Sequence, residues 1–271
     1  MRLEAKLDMS LIINGTERDT LIIGKSIFKY AGEWTPTLAH NATYRGQSLG
    51  PFNETFAGDI NNGTFNNMWV GDYFTINNHI YKIAGFNYKY GHEENTTLAN
   101  HLIMITDVLS NQVMNSSNTT AGGFAGTELF KNYFPQIESQ LTTDFGSHLL
   151  TFKSYLSTSI DGNGAPDDGQ WYSLKTCMCN SAMWWGSPSE YSNNANGTKY
   201  NIGDETEQLP IMKLHTDEQE SGGQVVWLRD VCDSKSFAAA NPDGAPDAYA
   251  ANILGSGGVA SIGVRAFFLI G

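Results

Sequence analysis

Val225-Val226-Trp227-Leu228-Arg229 and Gly263-Val264-Arg265-Ala266-Phe267-Phe268-Leu269-Ile270 are the two strongest strand signals in the chain. Each is short, rich in β-branched and aromatic residues, and flanked by Gly-rich sequence. A closing apolar run of this strength is expected in the centre of a sheet or beside its first strand. Trp227 is expected in the core. Arg229, a charge on a core strand, should pair with a carboxylate or carbonyl. Between the two runs, Phe237–Ser261 is low in complexity, with Ala, Gly, Asn, Asp and Ser dominating. It reads as a permissive loop whose ends are held by strands, and its side chains are expected outside the core.

Upstream, Tyr73-Phe74-Thr75-Ile76, Asn77-Asn78 and Ile80-Tyr81-Lys82-Ile83 give a hairpin signal, because Asn tolerates the left-handed backbone of a tight turn. The apolar run from His101 to Ile105 predicts a buried central strand. Thr127 and Glu128 open a helix with Leu129, Phe130, Tyr133, Phe134, Ile137 and Leu141 at helical spacing, and Pro135 is expected to kink or split it. Residues 148–152 are strand-like. A second helix is expected from about Gln170 to Ala182, with Trp171, Leu174 and Met178 facing inward. Residues 186–224 are mostly turn formers and acids. Residues 1–65 carry strand signals at Leu11–Ile13 and Leu21–Ile23, then a Gly/Asn/Thr-rich connection from Thr35 to Gly63. They form a β-rich N-terminal segment too apolar-poor for a core of its own, and residues 66–271 form the main domain.

The 271 residues carry a net charge of −12, with only 16% charged side chains. Such an acidic chain is repelled by phosphate backbones and anionic membrane surfaces, so nucleic-acid binding is not expected, and no apolar run approaches the length of a transmembrane helix, so membrane insertion is not expected either. Met1–Asp8 holds charges where a signal peptide needs an apolar stretch. Three cysteines, Cys177, Cys179 and Cys232, are too few for a disulfide framework and suit synthesis in a reducing compartment. Eight Asn-x-Ser/Thr triplets follow from the abundance of Asn and Thr, and no glycans are expected.

The six histidines show no metal-ligand spacing, and no nucleophile elbow, phosphate loop or dinucleotide fingerprint is present. No catalytic residue, metal or cofactor is assigned. Carboxylate pairs for glycoside hydrolysis stay open, because their separation is spatial. Asp161–Asp168 and Asn241–Asp247 are similar Asp/Asn/Gly stretches that read as turns, with calcium as the other reading. Trp171, Trp184, Trp185 and Trp227 are candidates for stacking on sugars or anchoring an interface.

Trp227-Leu228-Arg229-Asp230, Phe237-Ala238, a loop with Asn241 and Gly244, and Gly263-Val264-Arg265 with Phe267 resemble the end of a C-type-lectin-like domain. The relatives in view are tail and tropism proteins of gut phages and prophages. Gly71-Asp72-Tyr73, the strand from Asn100 to Asp107, Met114-Asn115, Gly122-Gly123, Gly126-Thr127-Glu128 and Phe145-Gly146-Ser147 extend the resemblance over residues 68–271. It implies an α+β fold: two helices on antiparallel sheet with long loops, after the small β-rich segment. It further implies a non-catalytic virion appendage, in tail or capsid, that binds a bacterial surface glycan or protein. Such a protein would be made in the bacterial cytoplasm, carried on the virion surface, assembled as a homotrimer and joined to other virion proteins. The alternatives are a structural decoration or connector protein and, third, an envelope-glycan hydrolase. Ala266 stands where relatives carry Pro. The Glu-Pro-Asn and Trp-Asn-Asp triplets of calcium-dependent lectins are absent.

The site expected from these readings lies in the 237–261 loop. Asn241, Asp243, Asp247, Tyr249 and Asn252 offer hydrogen-bonding groups and one aromatic anchor for a glycan or protein. The Trp184–Asn201 stretch is the next candidate.

Overall fold

A computed structural model describes residues 36–91, 93–186, 203–253 and 262–271, together with five short strands in the first 29 residues. Strands β1 (Leu3–Ala5), β2 (Leu11–Ile13) and β3 (Thr16–Glu17) pair antiparallel in that order, and β4 (Thr20–Ile23) pairs with β5 (Ser26–Lys29). Helix α1 (Pro36–Asn41), strand β6 (Ser48–Gly50) and helix α2 (Glu54–Asn61) follow.

The hairpin of β7 (Tyr73–Ile76) and β8 (His79–Phe86) turns on Asn77 and Asn78, at φ 50° and 66°. Two successive left-handed residues match the twist of the flanking strands, which is why Asn-Asn marks this turn. Strand β9 (Leu102–Thr106) is buried throughout and pairs with β8 on one side. Its other neighbour is the closing strand β16 (Phe267–Ile270), with Phe267 opposite Ile105 and Ile270 opposite Leu102. Strand β12 (Thr176–Cys177) covers the far edge of β16, so the closing strand is interior, as its apolarity demands. The six-stranded order is β12-β16-β9-β8-β7-β6, antiparallel except for the parallel β6–β7 pair.

Leu129–Tyr133 forms a π-helical turn that runs into α3 (Phe134–Phe145). Pro135 sits in the first turn of α3, where its missing N–H is no loss, and so marks the split. Phe134, Ile137, Leu141 and Phe145 are the buried residues of α3, and the Phe145 ring meets Tyr81 and Phe268 of the sheet.

The second helix expected over Gln170–Ala182 is not formed. Gly169–Leu174 is strand β11, paired along its length with β10 (Phe152–Ser157), and only Ser181–Trp185 (α4) is helical. The apolar spacing of Trp171, Leu174 and Met178 fits a helix, but the stretch is short and rich in residues that suit a pleated surface, and pairing with β10 decides it. The segment marked off as residues 1–65 also divides differently. β6 joins the main sheet, and Ile60 and Phe65 are fully buried in the same core as β8, β9 and β16. Helix α2 is capped by Asn53, whose side chain accepts from Thr55 and Phe56 N–H, a local signal within a stretch read as a connection.

A second sheet comprises β13 (Val226–Val231), β14 (Ser236–Ala240) and β15 (Pro246–Ala250). It joins the large sheet at Gly263, whose N–H donates to Val225 O (2.8 Å) and whose carbonyl accepts from Trp227 N–H (3.0 Å). A methyl group on Gly263 would come within 2.4 Å of Val108 Cγ1, so this crossing has no room for a side chain. Trp227 is buried, and its Nε1 donates to Gln112 O (2.8 Å). The protein is thus of the mixed α+β class with few helices. No helix among the described residues is long and apolar enough to cross a membrane.

Candidate binding face

The stretch from Phe237 to Ala250, expected as a free loop, is a strand–turn–strand hairpin; residues 254–261 lie outside the described residues. β14 runs between β13 and β15, and Phe237, Ala238, Ala239 and Ala240 are fully buried. The alanines are therefore core residues, small because both faces of β14 are covered. A composition of small residues signals a loop only when nothing covers them.

The hairpin turns over Asn241–Ala245. Asn241 N–H donates to Ala245 O and Gly244 N–H to Asn241 O, both at 2.8 Å. Asp243 Oδ1 accepts from Ala245 N–H at 3.0 Å. Trp185 Nε1 donates to Gly244 O at 2.8 Å, tying the turn to the end of α4. Behind it, Gln219 Nε2 donates to Trp184 O and Met212 O, and Gly244 rests against the Gln219 side chain.

Three of the expected site residues meet on β15 and the turn. Tyr249 Oη donates to Asn241 Oδ1 (2.7 Å), and Asn241 Nδ2 donates to Asp247 Oδ2 (3.1 Å). Burial and the Asp247 carboxylate push the Tyr249 phenol up to about 12, so it stays a donor at neutral pH. Its ring meets Trp227 edge-on at 6.4 Å. All three side chains remain partly exposed on the outer strand of the sheet, so each can still offer its remaining hydrogen-bonding capacity to a partner. Asp243 is exposed in the turn, and Asn252 is exposed past the end of β15 without joining the cluster. The Trp184–Asn201 alternative is described only to Gly186: Trp184 is buried, Trp185 is half-buried, and 187–202 lie outside the described residues.

Behind β13 the face is backed by a buried network of charged side chains. Arg229 N–H donates to Cys179 O (3.1 Å), and its guanidinium forms an ion pair with Glu205. Glu205 Oε1 also accepts from Lys89 Nζ (2.7 Å) and Ser154 Oγ (2.6 Å). All three charged residues are buried. Burial alone would raise the Glu205 carboxyl, but the Arg229 and Lys89 charges outweigh it and hold the group at about 2. The expected partner of Arg229 is thus a carboxylate, supplied from a stretch with no motif to announce it.

The other sequence candidates serve structure. Asp161 Oδ1 accepts from Asn163 and Ala165 N–H (2.8 and 2.9 Å) within its own turn, and these bonds lower its carboxyl. No group of three or more His, Cys, Asp or Glu converges at metal-binding spacing among the described residues. Cys177, Cys179 and Cys232 are free and buried, and burial raises all three thiols, Cys179 to about 12. Such thiols carry almost no thiolate at neutral pH and are poor nucleophiles.

No protein-family model, curated protein or solved structure matches this chain.

Proposed function

We propose that this chain is a non-catalytic binding protein with a C-type-lectin-like main domain, an appendage of a phage tail or capsid that engages a bacterial surface glycan or protein. The ordered motifs from Gly71-Asp72-Tyr73 to Gly263-Val264-Arg265 support the family. The observation that carries the site is the Asn241–Asp247–Tyr249 cluster, partly exposed on the outer strand and its turn beside the fully buried Phe237, Ala238, Ala239 and Ala240. Polar groups and one aromatic ring, pre-ordered on a rigid sheet, lose little freedom when they bind. The N-terminal strands serve attachment and assembly, with a homotrimer and contacts to other virion proteins as the arrangement.

The test replaces Asn241, Asp243, Asp247, Tyr249 and Asn252 together by Ala in the full chain. Binding of labelled protein to a panel of gut bacteria is read by flow cytometry, with melting temperature as the control for folding. Loss of binding with a retained transition supports the site. Binding equal to the parent's removes the site from this hairpin. Sugar or peptide fragments released from the cells would replace the binding reading with a hydrolytic one.

A further inference from the structure

Gly263-Val264-Arg265 ends in a side chain at the floor of an open cleft of about 450 Å³, apart from the hairpin cluster. Arg265 is buried there, and every nitrogen of its guanidinium is engaged. Nε donates to Thr106 O (2.9 Å), Nη1 to Glu218 O (2.8 Å) and Ser221 Oγ (3.2 Å), and Nη2 to Glu218 Oε2 (3.1 Å). Its charge also lies over the Trp184 ring, 5.6 Å from the centroid. Lys82 Nζ reaches Glu218 Oε1 at 2.9 Å and Asp107 Oδ1 at 3.2 Å. Both cations of the cleft are thus already committed to carboxylates.

What remains open toward the cleft is mostly acceptor. Asp107 is half exposed, with its second oxygen outside the Lys82 contact, and Asp217 is 76% exposed. Gln224 is exposed beside them, and Ser221 lies at the rim in the left-handed region (φ 48°) that is uncommon for residues other than glycine. Three carboxylates against two cations leave the cleft net negative, which disfavours an anion. Val108 is its one apolar lining residue, which disfavours a hydrophobic ligand. The volume lies within the range of about 300–1,000 Å³ that small-molecule sites occupy. Charged groups buried at the base of an open cleft are costly to place there, and such groups concentrate at functional sites.

We propose that this cleft binds one hydroxyl-rich saccharide unit, neutral or amine-bearing, whose donors are taken by Asp107 and Asp217 above the fixed Lys82–Glu218–Arg265 floor. The proposal rests on the reading of the chain as a binding protein but not on the hairpin as its site. Saturation-transfer NMR and calorimetry on the full chain, with glucosamine, N-acetylglucosamine and glucuronate as probes, test it. Glucosamine and N-acetylglucosamine bind and glucuronate does not. The double variant Asp107→Asn/Asp217→Asn raises the Kd for glucosamine at least about ten-fold, because charged acceptors are the stronger ones. Its melting temperature stays that of the parent, since both side chains are half or more exposed. No transfer to either favoured sugar, glucuronate binding as tightly as glucosamine, or an unchanged Kd in the double variant would each overturn the proposal. The five-residue hairpin variant keeps its affinity for glucosamine. A chain that binds glucosamine through Asp107 and Asp217 but no bacterial cell would leave the cleft standing and remove the receptor reading.

Discussion

Glu205 and Arg229 form a fully buried ion pair behind β13, and Lys89 completes it from the far side at 2.7 Å. One carboxylate thus neutralises two cations, each from a different part of the chain. Removing the shared partner leaves two buried charges uncompensated, so Glu205→Gln should cost about 3–5 kcal/mol, and Arg229→Met, which leaves the Lys89–Glu205 pair intact, should cost less. Urea unfolding with both variants gives the comparison. Equal losses would show that the pair with Lys89 contributes little by itself.

Acid should loosen the fold in two stages. His101 is buried, its Nδ1 facing Ala99 O and its Nε2 accepting from Lys89 N–H (3.1 Å), an arrangement that needs the neutral ring. Burial lowers its pKa to about 4 from an ordinary 6.5, and burial lowers His40 as well. A group whose folded pKa is depressed contributes stability above its unfolded pKa and loses it as pH falls. The histidine contribution therefore fades from about pH 6.5 toward 4, and that of Glu205 from about 4.5 toward 2. Melting temperatures across pH 7 to 4 should decline, and His101→Gln should flatten that decline. A slope unchanged by this substitution would assign the acid sensitivity elsewhere.

The elements legible in the sequence are those whose local and tertiary preferences agree. Asn77-Asn78 marks its turn by backbone preference, and β9 and β16 mark themselves by continuous apolarity, because both faces of each are covered. Trp227 and Arg229 were legible for the same reason: a core strand can hold a charge only with a partner. Trp171–Leu174 is not legible as a strand because a short amphipathic run fits either period, and the pairing that decides it, from Ser157 with Gly169 to Phe152 with Leu174, joins residues distant in sequence. The alanines of β14 read as loop because composition does not reveal coverage. Glu205 and Glu218 carry no sequence signal, since their roles arise from contacts 24 to 136 residues away. Of the expected site, the cluster of Asn241, Asp247 and Tyr249 is one hairpin and so close in sequence, while the lining of the Arg265 cleft is assembled from four separate stretches.

Ala239 tests the corrected reading of the hairpin. It lies opposite Trp227 on one side and Asp247 on the other, with no exposed surface. Ala239→Leu adds volume to a filled site and should cost about 1–3 kcal/mol. Asp243→Ala and Asn252→Ala, at exposed positions, should stay within about 0.5 kcal/mol. Chemical denaturation of the three variants checks the contrast. An Ala239→Leu protein as stable as the parent would return β14 to the status of a tolerant loop.

The last prediction concerns the first 35 residues. Their strands form one three-stranded and one two-stranded sheet, both small for independent stability in water. Small open sheets are completed by pairing with a neighbour, and three copies doing so would build the proposed trimer. The place to cut is set by the core. A chain beginning near Asn66 would lose β6, Ile60 and Phe65, and with them an edge of the main sheet and fully buried side chains. Such a chain should fail to fold, and its mass would report nothing about assembly. A chain beginning at Pro36 keeps those elements and should retain the melting transition of the main domain. Light scattering then compares it with the full chain: the full chain should show three times the monomer mass, and the shortened chain one. A shortened chain that keeps the larger mass would place the assembly contacts within residues 36–271 and remove that role from the N-terminal strands.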